Sequence, residues 1–217
     1  MILAALLLVA APAPDRDGWE SGPPSVARPA GFAYAECLWS ANKRAIRAAL
    51  ERRVDGGENP FAGLKMPACF QAPPFAARFP VFVLRGLFFE RLYHQDFDRS
   101  PPVESFAAVA PVAYPIAPRA VQTDVARNYR GLVRIGDCAV RRAPAAARAL
   151  LSTRIATGGE AKAIAAMEPH FVACQAPLTP VPFSAEMMRG TVAESLYRLS
   201  TAAAPGRGVG LAGRGDE

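Results

Sequence analysis

The sequence predicts an all-α protein: two tandem three-helix repeats related by a pseudo-twofold axis, each with its own intra-repeat disulfide. Three observations predict it. Long stretches rich in Ala, Leu and Arg, all strong helix formers, are broken by clusters of Pro and Gly. One order of motifs runs through the chain twice. The four cysteines fall at matching points of the two copies.

The copies align from their first cysteines. Cys37 opens a helix-like run through Leu50 to Val54, and Cys138 opens another through Leu151 to Ile155. Gly57 and Glu58 in one copy answer Gly158 and Glu160 in the other, followed by Met66 and Met167. The second cysteines, Cys69 and Cys174, come just before Gln71-Ala72-Pro73 and Gln175-Ala176-Pro177, and Phe79 pairs with Phe183. Residues 84–93 and 188–197 then keep Arg85 and Arg189, Gly86 and Gly190, Glu90 and Glu194, and Tyr93 and Tyr197 in register. Shared composition does not produce such an order across a whole unit.

Each unit reads as three helices. The first covers residues 35–53 in one copy and 136–154 in the other, where Pro144 must kink it or delay its start. The second opens on Asn59-Pro60, an N-cap followed by Pro at the first helical position. Its counterpart opens on a capping box of Thr157 and Glu160. The third starts near Pro80 or at Ser184 and runs to Tyr93 or Tyr197. In the first copy it is apolar nearly all round, which places it in the middle of the fold. A glycine inside a helix costs about 1 kcal/mol against alanine, so Gly86 and Gly190 at equivalent points need a reason. The expectation is that the two third helices cross there, with Arg and Glu of the shared motif pairing across the axis.

Four cysteines allow three pairings. The repeat selects Cys37 with Cys69 and Cys138 with Cys174, each joining the start of a first helix to the end of a second. Those points lie side by side in an antiparallel helix hairpin, as a disulfide requires. A metal site would need four convergent ligands, and no Cys-x-x-Cys spacing is present. The sequence therefore calls for no metal and no cofactor.

Residues 1–13 are an apolar run closing on Ala11-Pro12-Ala13, which fits a signal peptide without a basic leader. The run is shorter than the roughly 20 apolar residues that span a bilayer. The chain is thus expected to be exported, periplasmic or secreted, and not membrane-embedded, in keeping with paired cysteines in an oxidising compartment. Residues 14–31 read as a flexible N-terminal segment, 32–95 as repeat 1 and 96–130 as a Pro-rich linker with a possible short strand at 106–114. Residues 131–198 read as repeat 2 and 199–217 as a disordered Gly-rich tail.

Over 217 residues the formal net charge is +6, which favours anionic neighbours. No run of more than two consecutive basic residues occurs; Lys43, Arg44, Arg47, Arg52 and Arg53 are spaced as the wet side of a helix. Export and the absence of a recognised module argue against nucleic acid as the partner.

Candidate chemistry is sparse. His94, Asp96 and Asp98 form the one cluster of imidazole and carboxylates, an acid–base or metal site if it is not simply a polar helix end. Arg85, Gly86, Glu90, Tyr93 and their counterparts Arg189, Gly190, Glu194, Tyr197 recur in both copies, as features required for folding do, although both sets together would line a symmetric groove. Gly208, Gly210 and Gly213 match a dinucleotide fingerprint but lack its strand and helix. No catalytic residue is assigned.

The paired pattern of cysteines, Gln-Ala-Pro and the Arg-Gly, Glu and Leu-Tyr motif resembles uncharacterised exported two-repeat helical proteins of alphaproteobacteria, over most of residues 32–198. The resemblance implies a recurring two-unit design and no activity. The function expected is a non-enzymatic exported binding or interaction module for a protein or an anionic envelope component. The alternative is a small periplasmic hydrolase-like enzyme using His94, Asp96 and Asp98.

Overall fold

The computed structural model describes residues 24–56, 59–65, 81–100, 103–118, 123–175 and 183–204. Among them lie six helices: α1 (Pro24–Leu50), α2 (Val81–Phe97), α3 (Asp124–Arg142), α4 (Pro144–Leu151), α5 (Gly158–Gln175) and α6 (Ala185–Ala203). The described residues form no sheet; a lone parallel bridge joins Val54 to Ile116. Residues 106–114, read as a possible strand, run as irregular chain, because their carbonyls are taken by arginines rather than by a neighbouring strand.

Local chemistry sets the helix boundaries. Thr123 caps α3 by accepting from the Ala126 amide at 3.1 Å, and Ser184 caps α6 by accepting from Met187 at 3.2 Å. The run expected over 136–154 is two helices. Pro144, which has no amide hydrogen, begins α4, and Ala143 between α3 and α4 leaves helical geometry. Helix α1 begins at Pro24, well before the expected start at 35, and kinks at Asn42 (φ −134°, ψ 22°). The Asn42 amide explains the kink: it donates to the Leu38 and Lys65 carbonyls (2.9 and 2.8 Å) and accepts from the Lys65 amide at 2.8 Å. This residue therefore ties the 59–65 turn to α1. Within that turn Asn59 accepts from the Phe61 amide, but only a turn is formed there, and most of the helix expected to follow lies outside the described residues.

Helices α2 and α6 form the centre and run side by side in the same direction. Gly86 meets Gly190 in their early turns, and the rings of Phe97 and Tyr197 lie 5.8 Å apart in their late turns. A Cβ placed on Gly86 would fall 2.3 Å from the Cα of Gly190, so the backbones touch only because neither residue has a side chain. Around this pair pack Trp39, Ile46 and Leu50 of α1, Ile135 and Val140 of α3, and Met167 and Phe171 of α5, all buried. A disulfide joins Cys138 of α3 to Cys174 of α5. No described cysteine is free, and Cys69, the expected partner of Cys37, lies outside the described residues. So do the signal-like run and residues 205–217, whereas residues 199–203, expected to open the disordered tail, continue α6 because Leu199 and Ser200 are buried against the core.

Arginines hold the segment that links the halves. The Arg141 guanidinium donates to the carbonyls of Phe106 (2.8 Å), Val109 (2.7 Å) and Ala110 (3.1 Å), and its Nε donates to Asp137 at 2.7 Å. Arg148 donates to the Val103 carbonyl at 2.6 Å, and Arg130 to that of Ala117 at 2.8 Å. Much of the basic surplus is thus engaged inside the molecule and is not an open cationic patch.

Candidate functional site

Two buried charge networks flank the glycine crossing. On one side Arg85 of α2 grips Glu194 of α6 with two hydrogen bonds, Nε at 2.9 Å and Nη2 at 2.7 Å. Tyr129 donates to the same carboxylate at 2.7 Å and Arg198 at 3.0 Å. The Arg85 guanidinium also lies over the rings of Phe89 and Tyr129, 5.1 Å from each centroid. Burial by itself would raise the Glu194 carboxyl; the Arg85 and Arg198 cations and the Tyr129 hydroxyl hold it below its ordinary value instead. Burial, with the Glu194 charge beside it, pushes the Tyr129 hydroxyl well up.

On the other side the roles are exchanged. Arg189 of α6 grips Glu90 of α2 through Nε at 2.8 Å and Nη2 at 2.7 Å. The remaining Arg189 donors reach the Glu160 carboxylate at 3.0 Å, the Thr153 hydroxyl at 3.0 Å and the Leu150 and Thr153 carbonyls at 3.1 and 2.9 Å. Glu160 is itself gripped by Arg28 of α1 (2.9 and 2.8 Å) and accepts from the Ala156 amide at 2.7 Å. Its capping role is split for that reason: Thr157 accepts from the Glu160 amide, but the carboxylate reaches past Thr157 to Ala156. Arg28 also pairs with Glu186.

Beside this second network lies an open groove of about 610 Å³ between α1, α2 and the loop that joins α4 to α5. Its floor is the Glu90–Arg189 pair, its apolar lining comes from Pro29, Phe32, Leu151 and Ile155, and its rim carries Glu36, Arg91, His94, Asp98 and Arg154. Most of these charges are already paired. Arg91 reaches Glu36 at 3.3 Å, and His94 faces Asp98.

The three polar residues expected to cluster do not converge. The His94 Nδ1 faces both Asp98 oxygens (2.9 and 3.1 Å), whereas its Nε2 faces the Leu151 carbonyl at 3.2 Å. Both ring nitrogens are thus already engaged within the chain. Asp96 turns the other way and accepts from Tyr197 at 3.1 Å, and burial together with Asp96 pushes the Tyr197 hydroxyl up to about 12. Tyr93 stacks on Phe97 within the core. Among the described residues no three His, Cys, Asp or Glu side chains are placed to hold a metal ion.

Arg85, Gly86, Glu90, Arg189, Gly190 and Glu194 are therefore brought together at the crossing, and Glu90 and Arg189 alone of these also line the groove. Sequence reasoning missed Arg28, Phe32, Tyr129, Arg154 and Arg198, and read Glu160 only as a cap. The repeat expected from the sequence held a signal for Glu160, which aligns with Glu58; Arg28 lies before the aligned residues and had none. No family model, no curated protein and no solved structure matches the chain. No described helix is long and apolar enough to cross a membrane.

Proposed function

We propose that the chain is a non-enzymatic, exported helical module that binds a protein partner in the groove between α1, α2 and the α4–α5 loop. One observation carries this reading. The groove is large enough to seat a ligand, yet apart from Arg154 its acids and bases are already paired with one another instead of being poised for chemistry. The hydrolase-like alternative needs a free base, and His94 is engaged at both nitrogens. An anionic envelope polymer as partner draws support from exposed Lys43, Arg44, Arg52 and Arg53. The groove suits it less, since Glu36 and Asp98 on its rim repel repeated negative charge.

Export rests on the apolar run ending at Ala13 and on the disulfide chemistry of the chain. The reading that two copies of one unit stand about a pseudo-twofold axis, with Cys37 bound to Cys69 as Cys138 is to Cys174, is supported by the exchanged pairs. Arg85 with Glu194 and Arg189 with Glu90 join aligned positions of the repeat. The resemblance to exported alphaproteobacterial proteins belongs to the same reading.

The test is a photo-crosslinking residue placed at Ser152, on the groove, or at Ala165, on the exposed outer side of α5. A single protein adduct in the periplasm from position 152 and none from position 165 is the expected outcome. Equal capture from both, or adducts to anionic polymer alone, rejects the groove as a protein site. Mass mapping of the exported chain under non-reducing conditions tests the mature N-terminus and the Cys37–Cys69 bond together.

A further inference from the structure

Resting on the reading of the groove as a protein-binding site, we infer that Arg154 is its specificity residue and selects a partner segment bearing a single carboxylate beside an apolar side chain. Among the described residues that line the groove, Arg154 is the one cation whose side chain has no charged partner: Arg91 is held by Glu36 and Arg189 by Glu90 and Glu160. It is exposed on the loop between α4 and α5, with Ile155 next to it and Phe32 among the other lining residues. A guanidinium so placed offers paired donors to a carboxylate.

The loop is also fixed in advance. Ala156 sits at φ +58°, a left-handed conformation that costs a residue with a Cβ roughly 1–2 kcal/mol. It is held there because its amide donates to Glu160, which Arg28 and Arg189 pin in turn. A prearranged loop loses little conformational entropy on binding. Arg91 is matched by Glu36 and Asp98 faces His94, so Arg154 is left as the one guanidinium on the rim for an incoming carboxylate; Glu36 and Asp98 oppose a second negative charge. That balance favours a peptide carboxylate over a polyanion or a phosphate dianion.

The experiment titrates the full oxidised chain with positional-scanning pools of end-blocked pentapeptides, fixing Asp, Asn, Leu or Lys at the centre, and follows backbone amide signals. The Asp pool is expected to shift the signals of Thr153, Arg154, Ile155 and Phe32 and to bind about tenfold more tightly than the Asn pool. Arg154→Gln should erase that difference with the melting temperature unchanged, because the exposed side chain supports no other group. Equal binding of the Asp and Asn pools, or an Asp preference that survives Arg154→Gln, overturns the selectivity and leaves the groove reading standing. If no pool shifts the groove, the inference falls, and crosslinking from position 152 decides separately whether the groove binds protein at all.

Discussion

Gly86 and Gly190 lie backbone against backbone at the point where α2 crosses α6. The contact is uneven: a Cβ on Gly86 would come within 2.3 Å of the Gly190 Cα, whereas one on Gly190 would lie 3.0 Å from the Gly86 Cα. Backbone cannot rotate away as a side chain can. Gly86→Ala is therefore expected to destabilise by about 3 kcal/mol or more, and Gly190→Ala by less, despite the better helix propensity of alanine. Gly131 of α3 is the control, since a Cβ there would meet nothing within 4 Å and Gly131→Ala should stabilise by up to about 1 kcal/mol. Urea unfolding of the three variants gives the ranking.

Glu194 is buried with its charge intact, so removing that charge strands Arg85. Glu194→Gln should cost about 3–5 kcal/mol, the usual penalty for breaking a buried pair from one side. The sign of the pH effect follows from the direction of the shift. Glu194 is held below its ordinary value of 4.5, so its contribution is full above that value and is lost as the pH falls further. The wild type should lose stability in acid more steeply than Glu194→Gln does. Tyr197 gives the alkaline counterpart: its contribution is full below pH 10 and disappears as the pH rises through about 12. Denaturant midpoints measured across the pH range, with tyrosinate absorbance on the alkaline side, check both limbs.

Ala156 carries backbone strain that glycine would not. Ala156→Gly should stabilise by about 0.5–1 kcal/mol, the relief exceeding the added freedom of the unfolded chain. Thermal melting of this variant separates strain from a mere local distortion: a lower melting temperature would show that the alanine methyl makes a packing contribution larger than its strain.

The Cys138–Cys174 bond closes a loop of 36 residues. In the chain-entropy view its removal costs about 4 kcal/mol. Replacing both cysteines by serine should lower the urea midpoint accordingly, with α3 and α5 separating first. Hydrogen exchange resolved along the chain measures that order.

The helical class was legible because Ala, Leu and Arg repeat over long runs and because Ser184 and Pro144 mark helix ends in ways local chemistry dictates, whereas Thr123, which caps α3, lay in the stretch read as linker. The importance of Gly86 and Gly190 was legible as well, since a glycine inside a helix has a cost that only packing offsets. The groove was not. Its walls come from α1, α2 and the α4–α5 loop, and no spacing along the chain encodes which of their side chains meet. Arg28 shows why: it lies 132 residues from Glu160, in a stretch whose composition suggested only a flexible leader. The His94 region looked like chemistry because three polar residues stand close in sequence, yet the helix sends Asp96 and Asp98 to different partners, Tyr197 and His94.

The exchanged arginine pairs also fix the order in which the molecule is completed. Arg85 waits for a carboxylate 109 residues downstream and Glu90 for a guanidinium 99 residues downstream, both on the last described helix. Until α6 has been made, α2 carries a cation and an anion destined for burial without their partners, and its apolar surface has only α1 and the 59–65 turn to close against. Contacts of such separation form late. The N-terminal half is thus expected to finish packing only once α6 is in place. For the exported chain proposed above, that leaves it pliable, in the state that passage through a narrow channel demands, with folding and oxidation finishing together on the far side.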